Sequence, residues 1–210
     1  MKILGIDTTR KSAKIFVIDS ADSGSIDFLN IDKEIKHSEG LFEHIEMMLE
    51  KNKLSLSSLD GFACVVGPGS FTGIRVGMSA IKGFNKALNR SVVAMNSFEI
   101  VANNVENGIF LLNSTSTSCY YAEFVNSEIT DAGVVDKSEI ANKYYDKPIF
   151  VLAEEQNIIN LEYNRLNIIE DVEGLYLSCV MNKLNTMQYG EFLPYYLQLS
   201  QAERNLKDEK

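Results

Sequence analysis

Residues Val66–Gly77 carry the sequence VGPGSFTGIRVG, which lies between an apolar segment and a strongly periodic one. Its glycines and its proline favour a tight turn, because glycine tolerates backbone angles that other residues avoid and proline fixes its own φ angle. Such a turn leaves backbone N–H groups at the start of the following helix, where an anion or a close-packed partner can bind. The run therefore predicts a buried strand, a glycine-rich turn and a helix.

The segments around this run have the spacing of strands and helices. A helical pattern that Ser38 can cap is followed by a strand at Asp60–Val66, a helix at Thr72–Leu88 and a strand at Ser91–Met95. Short β-rich runs precede these elements, and we predict strands at Lys2–Asp7, Ala13–Asp19 and Ser25–Ile31.

The second half begins after a further helix, which Asn96 can cap with Glu99 at the capping-box position. A helix at Val172–Thr186 and an extended segment at Pro194–Leu199 are expected near the end of the chain. The strands predicted for this half are Gly108–Asn113, Cys119–Val125, Glu128–Val135, Pro148–Ala153 and Asn167–Ile169.

The two halves repeat one pattern. The strand and polar turn of Ile3–Thr9 recur in Ile109–Thr115 at a constant offset, so that Asp7 corresponds to Asn113. A second strand follows each turn. This repeat predicts two lobes of like topology, each a sheet that opens with a hairpin and is flanked by helices.

Composition limits the class of protein. With 210 residues and 45% apolar side chains, the chain can bury a sizeable core. We expect a first lobe at residues 1–104 and a smaller, degenerate second lobe at residues 105–210. The C-terminal segment of the second lobe is expected to pack back on the first. The net charge of −9 argues against direct, tight binding of nucleic acid. Three scattered cysteines indicate neither zinc nor a disulfide scaffold, and the sequence has no signal or membrane-spanning pattern, so a cytoplasmic protein is expected.

Asp7, Thr8 and Thr9 end the first strand and are candidate nucleotide contacts. Their hydroxyl and backbone N–H groups can hold a phosphate, with the carboxylate near a metal ion, or the three residues can simply hydrogen-bond within the turn. The corresponding loop Asn113–Thr117 has no glycine and no carboxylate, which argues against ATP hydrolysis. The sequence offers no nucleophile–histidine–acid set and only two histidines, so we predict neither catalytic residues nor metal ligands.

The helix after the glycine run has an unusually wide apolar face. At 100° per residue this face covers about half of the circumference, against a stripe of roughly 100° on an ordinary surface helix. Small residues fill one arc, and the adjoining arc carries Ile74, Met78, Ile81 and Leu88. One arc can pack on the parent sheet while the other contacts a partner helix, or the helix can be deeply buried within one chain. A basic stripe of Arg75, Lys82 and Lys86 lies opposite.

Motifs in the first half resemble those of the TsaB family, also called YeaZ. Ile3–Thr9 is similar to the family's first strand and turn, and His37-Ser38-Glu39 is similar to the HSE that opens its first helix. Val66–Gly77 resembles the GPGSFTG signature, and Lys82-Gly83 continues it. The central signature is the specific part of this resemblance.

The second half resembles the family less. Pro194–Leu197 with Ala202-Glu203 is similar to the terminal pattern, but Gln198 stands where arginine is usual. Asn113-Ser114-Thr115 stands where the family has an Asp-x-Arg motif, so a role for that motif is not expected in this chain.

The resemblance implies an α/β fold of the actin-like ATPase, RNase-H-like type, with two lobes that each hold a mixed sheet and flanking helices. TsaB proteins belong to the bacterial machinery that makes threonylcarbamoyladenosine (t6A) in tRNA. They are similar to the catalytic subunit TsaD but lack its metal-binding histidines, and here Leu41 replaces the second of these. They bind TsaD through first-lobe helices and can form homodimers through the same surface, and the ATPase TsaE joins the pair.

The function implied is that of a non-catalytic scaffold subunit that binds TsaD. The chain would then need no cofactor of its own, because ATP, ADP and metal would be bound by partner subunits. It would contact tRNA only through the complex, and it would not bind a membrane. The candidate interface residues are Leu41, Ile45, Met48, Ile74, Met78 and Ile81. The signature-loop residues are Gly67, Pro68, Gly69, Ser70, Phe71, Thr72, Gly73 and Arg75. Two alternatives stay open: a nucleotide-binding ATPase or small kinase that uses Asp7, and a metallopeptidase of the same superfamily.

Overall fold

A computed structural model describes residues 1–21, 24–31, 37–157, 166–184 and 192–198, with the backbone alone at 37–39. These residues form two five-stranded sheets. The strands of the first sheet are β1 (Lys2–Asp7), β2 (Ala13–Asp19), β3 (Ser25–Ile31), β4 (Gly61–Val65) and β5 (Ser91–Met95). Those of the second are β6 (Gly108–Asn113), β7 (Ser118–Val125), β8 (Glu128–Asp136), β9 (Ile149–Leu152) and β10 (Leu166–Ile169).

The two sheets have the same topology. The first has the order β3–β2–β1–β4–β5 and the second the order β8–β7–β6–β9–β10. In each, the first three strands are antiparallel neighbours, and the last two run parallel to the opening strand. Asp7 and Asn113 end the corresponding strands β1 and β6. The internal repeat is therefore confirmed, and so is the two-lobed α/β fold.

The helices are α1 (His37–Lys51), α2 (Phe71–Leu88), α3 (Ile140–Lys143) and α4 (Val172–Lys183). Short 3₁₀ helices occupy Leu56–Ser58, Glu99–Asn104 and Ala153–Glu155. The helix predicted after Asn96 is of the 3₁₀ type. Asn96 and Glu99 do bond across its start, as predicted. The Asn96 side chain accepts a hydrogen bond from the N–H of Phe98 at 2.7 Å, and the Glu99 carboxylate accepts one from the N–H of Asn96 at 2.7 Å.

Some predicted ends fall outside the described residues. The structure begins α1 at His37, one residue before the predicted cap Ser38, whose side chain is not described. The predicted helix end Thr186, the end of the extended segment at Leu199 and the motif Ala202-Glu203 also lie outside them.

Three buried clusters hold the described elements together, and two of them position the site. The first joins the two sheets, since it combines Phe16 and Met95 from one sheet with Phe110 from the other and Tyr176 from α4. The helix α4 itself packs against β3, β5 and the 3₁₀ helix at Glu99–Asn104. The second cluster lies between the first sheet and the pair α1 and α2. The C-terminal ends of β1 and β4 therefore meet α2 on one side and the second sheet on the other.

Candidate functional site

The glycine-rich loop after β4 is bound to several neighbouring elements. Ser70 caps α2, because its side chain accepts a hydrogen bond from the N–H of Gly73 at 3.2 Å. The N–H of Ser70 donates to the carbonyl oxygen of Thr9 at 2.7 Å. The hydroxyl of Ser97, after β5, donates to the carbonyl oxygen of Pro68 at 2.8 Å. The loop is thus a junction between strand ends.

Glycines in this loop are required by close contacts, as Gly67 and Gly73 illustrate. Gly67 has a φ of +113°, and a Cβ there would lie 2.9 Å from Ile74 and close to the carbonyl oxygen of Tyr195. A Cβ at Gly73 would overlap the carbonyl oxygen of Thr8. The glycines therefore let the β1–β2 turn and the C-terminal segment approach the start of α2, which makes the loop a packing device.

Thr8 and Thr9 use their hydroxyls within the chain. The Thr8 hydroxyl donates to the carbonyl oxygen of Gly73 at 2.6 Å, and the Thr9 hydroxyl donates to the Asp7 carboxylate at 2.6 Å. All of Asp7, Thr8 and Thr9 are buried. The Thr8 hydroxyl is thus bonded to α2 and the Thr9 hydroxyl and the Asp7 carboxylate to each other within the turn, and nucleotide binding by these residues stays a prediction.

The Asp7 carboxylate is fully buried and hydrogen-bonded on both oxygens. It accepts from the N–H of Thr9 at 2.7 Å and from the hydroxyl of Tyr176 on α4. Burial by itself would raise the pKa of this carboxyl, but the charges of Arg10 and Lys14 and the hydrogen bonds outweigh it, so the pKa is below its ordinary value. Burial and the neighbouring Asp7 charge raise the pKa of Tyr176 well above its ordinary value. Asp7 is thus ionised, and Tyr176 is its neutral hydrogen-bond donor.

Arg10 and Lys14 place two buried cations beside this carboxylate. Lys14 donates to both carboxylate oxygens of Glu154, at 2.8 and 2.9 Å, and Arg10 donates to one of them at 3.2 Å. Burial and the Arg10 charge lower the pKa of Lys14. Burial would raise the pKa of Glu154, but the two cations hold it below its ordinary value. These groups come from both sheets, so the ion cluster links them.

Sequence reasoning did not single out Arg10, Lys14, Glu154 or Tyr176. Lys14 follows Ala13 in a strand pattern, where a lysine is ordinarily expected on the solvent face. Glu154 is one of two consecutive glutamates after β9, a pattern typical of an exposed turn. The sequence offered no signal for their pairing, because 140 residues separate Lys14 from Glu154.

The second-half counterpart of Asp7 carries no charge. The side-chain oxygen of Asn113 accepts from the ammonium of Lys137 at 2.9 Å, and its backbone N–H donates to Glu155 at 3.0 Å. Burial raises the pKa of Glu155 despite the nearby Arg10. At the position equivalent to Asp7, the side-chain oxygen and the backbone N–H of Asn113 are therefore both hydrogen-bonded within the second half.

The six candidate interface residues lie in the core of this chain. Leu41, Ile45, Met48, Ile74, Met78 and Ile81 are all buried in the cluster between the first sheet and the helices α1 and α2. The helix α1 packs against α2 and β2 and covers the arc of α2 that was expected to face a partner. All six side chains are therefore accounted for by contacts within this chain, and binding of a partner through α1 and α2 stays a prediction.

The exposed surface of α1 and α2 carries large apolar side chains. Phe42 is 57% exposed and Met47 is 54% exposed on α1. The ring of Phe42 contacts the edge of Phe84 on α2, with ring centres 6.0 Å apart, and Phe84 stacks on the buried Phe62 at 5.8 Å. We call the exposed side of α1 and α2 around Phe42, Met47 and Phe84 the helix-pair face.

The C-terminal segment Phe192–Gln198 crosses the glycine-rich loop. The N–H of Tyr195 donates to the carbonyl oxygen of Val66 at 2.8 Å, and the ring of Tyr196 stacks on Phe71 with centres 4.6 Å apart. Arg75, an exposed residue of the signature, donates from Nε to the hydroxyl of Tyr196 at 3.3 Å. We call this segment the strap.

The strap also reaches the second sheet. The hydroxyl of Ser114, in the turn after β6, donates to the side chain of Gln198 at 3.1 Å. Gln198 therefore makes a contact at the position where arginine is usual. The ammonium of Lys82 lies 5.3 Å from the ring centre of Phe192 at the other end of the strap.

Comparison with known proteins gives the family. The model of a family described as TsaD, tRNA N6-adenosine threonylcarbamoyltransferase, matches residues 33–168, which is more than half of the chain. Relatives in Buchnera aphidicola and Haemophilus influenzae carry the name tRNA threonylcarbamoyladenosine biosynthesis protein TsaB. The chain belongs to this family, as a TsaB (YeaZ) member. The family predicted from the glycine-rich signature is therefore confirmed.

The TsaB relatives match this chain in part. The Buchnera protein is 29% identical over 104 residues, which cover 45% of this chain and 47% of that protein. The Haemophilus protein is 22% identical over 135 residues, which cover 61% of this chain and 56% of that protein. The chain thus spans about half the length of these two TsaB relatives.

The solved structure of YeaZ from Pseudomonas aeruginosa has the same fold. It superposes with a TM-score of 0.65 and 18% sequence identity, and the superposition covers 93% of this chain and 100% of that one. In the described part of this chain, no helix is long and apolar enough to cross a membrane.

Proposed function

We propose that this chain is a scaffold subunit that binds a TsaD protein during the biosynthesis of t6A in tRNA. The names of its TsaB relatives support the process, and the exposed apolar side chains of the helix-pair face support a role in binding a protein. ATP, ADP and metal are bound by the partner subunits, and TsaE joins the TsaD-bound pair. The net charge of −9 favours contact with tRNA through the complex rather than by this chain alone.

The observation that carries this proposal is the exposure of Phe42 and Met47. Exposed large apolar side chains that cluster on a surface mark interaction sites, and Phe42 packs on Phe84 of α2 to form such a group. Phe84 and Phe62 support Phe42 from below, so the ring is held in place before a partner arrives. A side chain fixed in advance loses less conformational entropy on binding.

Small residues beside this patch allow a partner helix to approach closely. Ser79, Gly83 and Ala87 recur every four residues on α2, and all three are exposed. Nothing lies within 4 Å of the position that a Cβ would take at Gly83. Together with the aromatic patch, this stripe fits a helix of TsaD packed along α2.

The same face has charges of both signs. On α1 the exposed residues include Glu43, Glu46 and Glu50, whereas α2 exposes Lys82 and Lys86. Two copies related by a two-fold axis can pair these opposite charges across the helix pairs. We therefore expect a homodimer of the isolated chain to use the helix-pair face and to compete with TsaD for it.

The test is co-purification of this chain with the TsaD of the same organism. Phe42→Glu and Met47→Glu should abolish the complex and leave the monomer folded, because both side chains are exposed. Val125→Glu is the matched control, since Val125 is 43% exposed on β7 and lies outside the helix-pair face. Undiminished TsaD binding by both helix variants would contradict the assignment of this face.

The process is tested separately by measuring t6A in tRNA. TsaD, TsaE and a source of threonylcarbamoyl-AMP are combined with and without this chain. We expect little t6A without the chain, restoration by the wild-type protein and by Val125→Glu, and no restoration by Phe42→Glu. Full t6A formation in the absence of the chain would contradict a role as a required subunit.

A further inference from the structure

Four hydrogen bonds converge on the carboxylate of Glu154. Lys14 Nζ donates to Oε1 at 2.8 Å and to Oε2 at 2.9 Å. Arg10 Nη1 donates to Oε1 at 3.2 Å, and the hydroxyl of Ser12 donates to Oε2 at 3.1 Å. Two cationic donors and a hydroxyl around one planar oxyanion form the kind of site that binds carboxylate or phosphate groups.

The two cationic donors are buried, whereas the acceptor is partly exposed. The side chain of Lys14 is 0% exposed and that of Arg10 is 4% exposed, whereas that of Glu154 is 27% exposed. The Nε and Nη2 groups of Arg10 are also buried and find no acceptor among the described residues. Arg10 thus has spare donor groups beside the bound carboxylate, which is itself the partly exposed member of the cluster.

Neighbouring carboxylates cannot replace Glu154 as the partner of Lys14. Asp7 already accepts hydrogen bonds from Thr9 and Tyr176 on its two oxygens. Glu155 accepts from the backbone N–H of Asn113, and burial favours its protonated form. Loss of the Glu154 carboxylate would leave the buried Lys14 ammonium near the charge of Asp7 but without the carboxylate that accepts its hydrogen bonds, which is unfavourable.

We propose that Arg10, Ser12 and Lys14 form an oxyanion-binding site which the chain fills with its own Glu154 carboxylate. The donors belong to β2 and the turn before it, and Glu154 follows β9, so the internal anion also ties the first sheet to the second. While Glu154 is in place, it excludes external oxyanions from the end of β1. This inference concerns the isolated chain and does not depend on the proposed binding of TsaD.

The test removes the carboxylate and supplies an external one. Glu154→Ala should lower the midpoint of thermal unfolding by about 5–10 °C, the low end for a broken buried ion pair in a chain of this size. Sodium phosphate or sodium formate should then raise the midpoint of this variant by about 3–5 °C at ten times its dissociation constant. Sodium chloride at equal ionic strength is the salt control, and the wild type should respond to neither oxyanion beyond that control.

Glu155→Ala is the matched control, since it removes the adjacent carboxylate, which lies near Arg10 but accepts its hydrogen bond from the N–H of Asn113. It should show no specific response to phosphate or formate. The comparison of phosphate with formate tells whether the site prefers a tetrahedral or a planar oxyanion. A Glu154→Ala variant that is as stable as the wild type, or that is no more responsive to oxyanions than Glu155→Ala, would overturn the proposal.

Two further variants keep the proposal testable if Glu154→Ala does not fold. Glu154→Gln keeps the shape of the side chain and removes its charge, so it should be destabilised and should respond to the same oxyanions. In Lys14→Met/Glu154→Gln the buried ammonium is absent as well. The rise in the unfolding midpoint that phosphate or formate produces should then be at least fivefold smaller than in Glu154→Gln. An equal response in both variants would show that Lys14 is not part of the site.

Discussion

Gly73 shows how one residue controls the position of a helix. A side chain at this position would overlap the carbonyl oxygen of Thr8, so α2 could not begin so close to the β1–β2 turn. Gly83 lies further along the same helix, where a side chain would meet open space. Close packing therefore requires a glycine at position 73 of α2, whereas packing places no such requirement on position 83.

Alanine at these two glycines should have opposite effects on stability. Gly73→Ala should lower the free energy of unfolding by about 1–3 kcal/mol, because backbone atoms must move to admit the Cβ. Gly83→Ala should raise it by about 0.5–1 kcal/mol, because alanine favours the helix without meeting any neighbour. Urea unfolding of the three proteins measures both. A loss of stability in Gly83→Ala would contradict the open space at that position.

The buried carboxyl groups make the chain sensitive to acid. The pKa values of Asp7 and Glu154 are lower in the folded chain than their ordinary values, so both groups stabilise the fold when ionised. This stabilisation is present above about pH 4.5 and is lost as the pH falls below it. The raised pKa of Glu155 acts in the opposite direction, because its protonated form is favoured in the folded chain.

We therefore expect two carboxamide variants to change the acid response in opposite ways. The free energy of unfolding of the wild type should fall between about pH 4.5 and pH 3. Glu154→Gln should show a shallower fall, because it lacks one group with a lowered pKa, and Glu155→Gln should show a steeper one. Urea unfolding at several pH values gives these slopes, and identical slopes in all three proteins would refute the assigned directions.

At the scale of an element, α2 shows what periodicity can and cannot tell. Its wide apolar face was predicted from the sequence, and the sheet and α1 together bury most of it. The spacing of apolar residues fixes which ones share a face. It does not fix whether the second arc meets α1 of the same chain or a helix of another. The opposite, more polar side of α2 is the side that remains exposed.

Charged substitutions on α2 should distinguish its buried positions from its exposed ones by their effect on stability. Met78→Glu and Ile81→Glu place a carboxylate in the core, so each should lower the free energy of unfolding by several kcal/mol, of the order seen for an unpaired buried charge. Ser79→Glu lies between them on the exposed side and should change it by less than about 0.5 kcal/mol. Circular dichroism during thermal unfolding distinguishes the two groups, and a stable Ile81→Glu variant would contradict the burial of that side chain.

At the scale of the whole molecule, the strap connects parts that are distant in sequence. It lies on the glycine-rich loop through Tyr195, on α2 through Tyr196 and on the second sheet through Gln198. The buried cluster around Tyr176 and the ion cluster around Glu154 connect the same two sheets from other sides. Three kinds of contact thus hold the two halves in one arrangement.

Removal of the Tyr196 ring should weaken the strap. Tyr196→Ala loses the stacking on Phe71 and the hydrogen bond from Arg75, and it should cost about 1–2 kcal/mol in the free energy of unfolding. Leu193→Ala is the matched control, because Leu193 is 73% exposed and should change stability by less than about 0.5 kcal/mol. Equal stability of the two variants would mean that the stacking contributes nothing to the fold.

The sequence by itself determined the positions of the strands along the chain, the internal repeat and the glycine turn before α2. These follow from local spacing and from the few residues that tolerate a tight turn, so they can be recognised without knowledge of the fold. Only the tertiary structure decided that Ile74, Met78 and Ile81 belong to the core and that Phe42 is exposed, since packing of α1 on α2 sets the accessible side. It also decided that Lys14 is paired with Glu154, because a buried charge is matched through space and not along the chain.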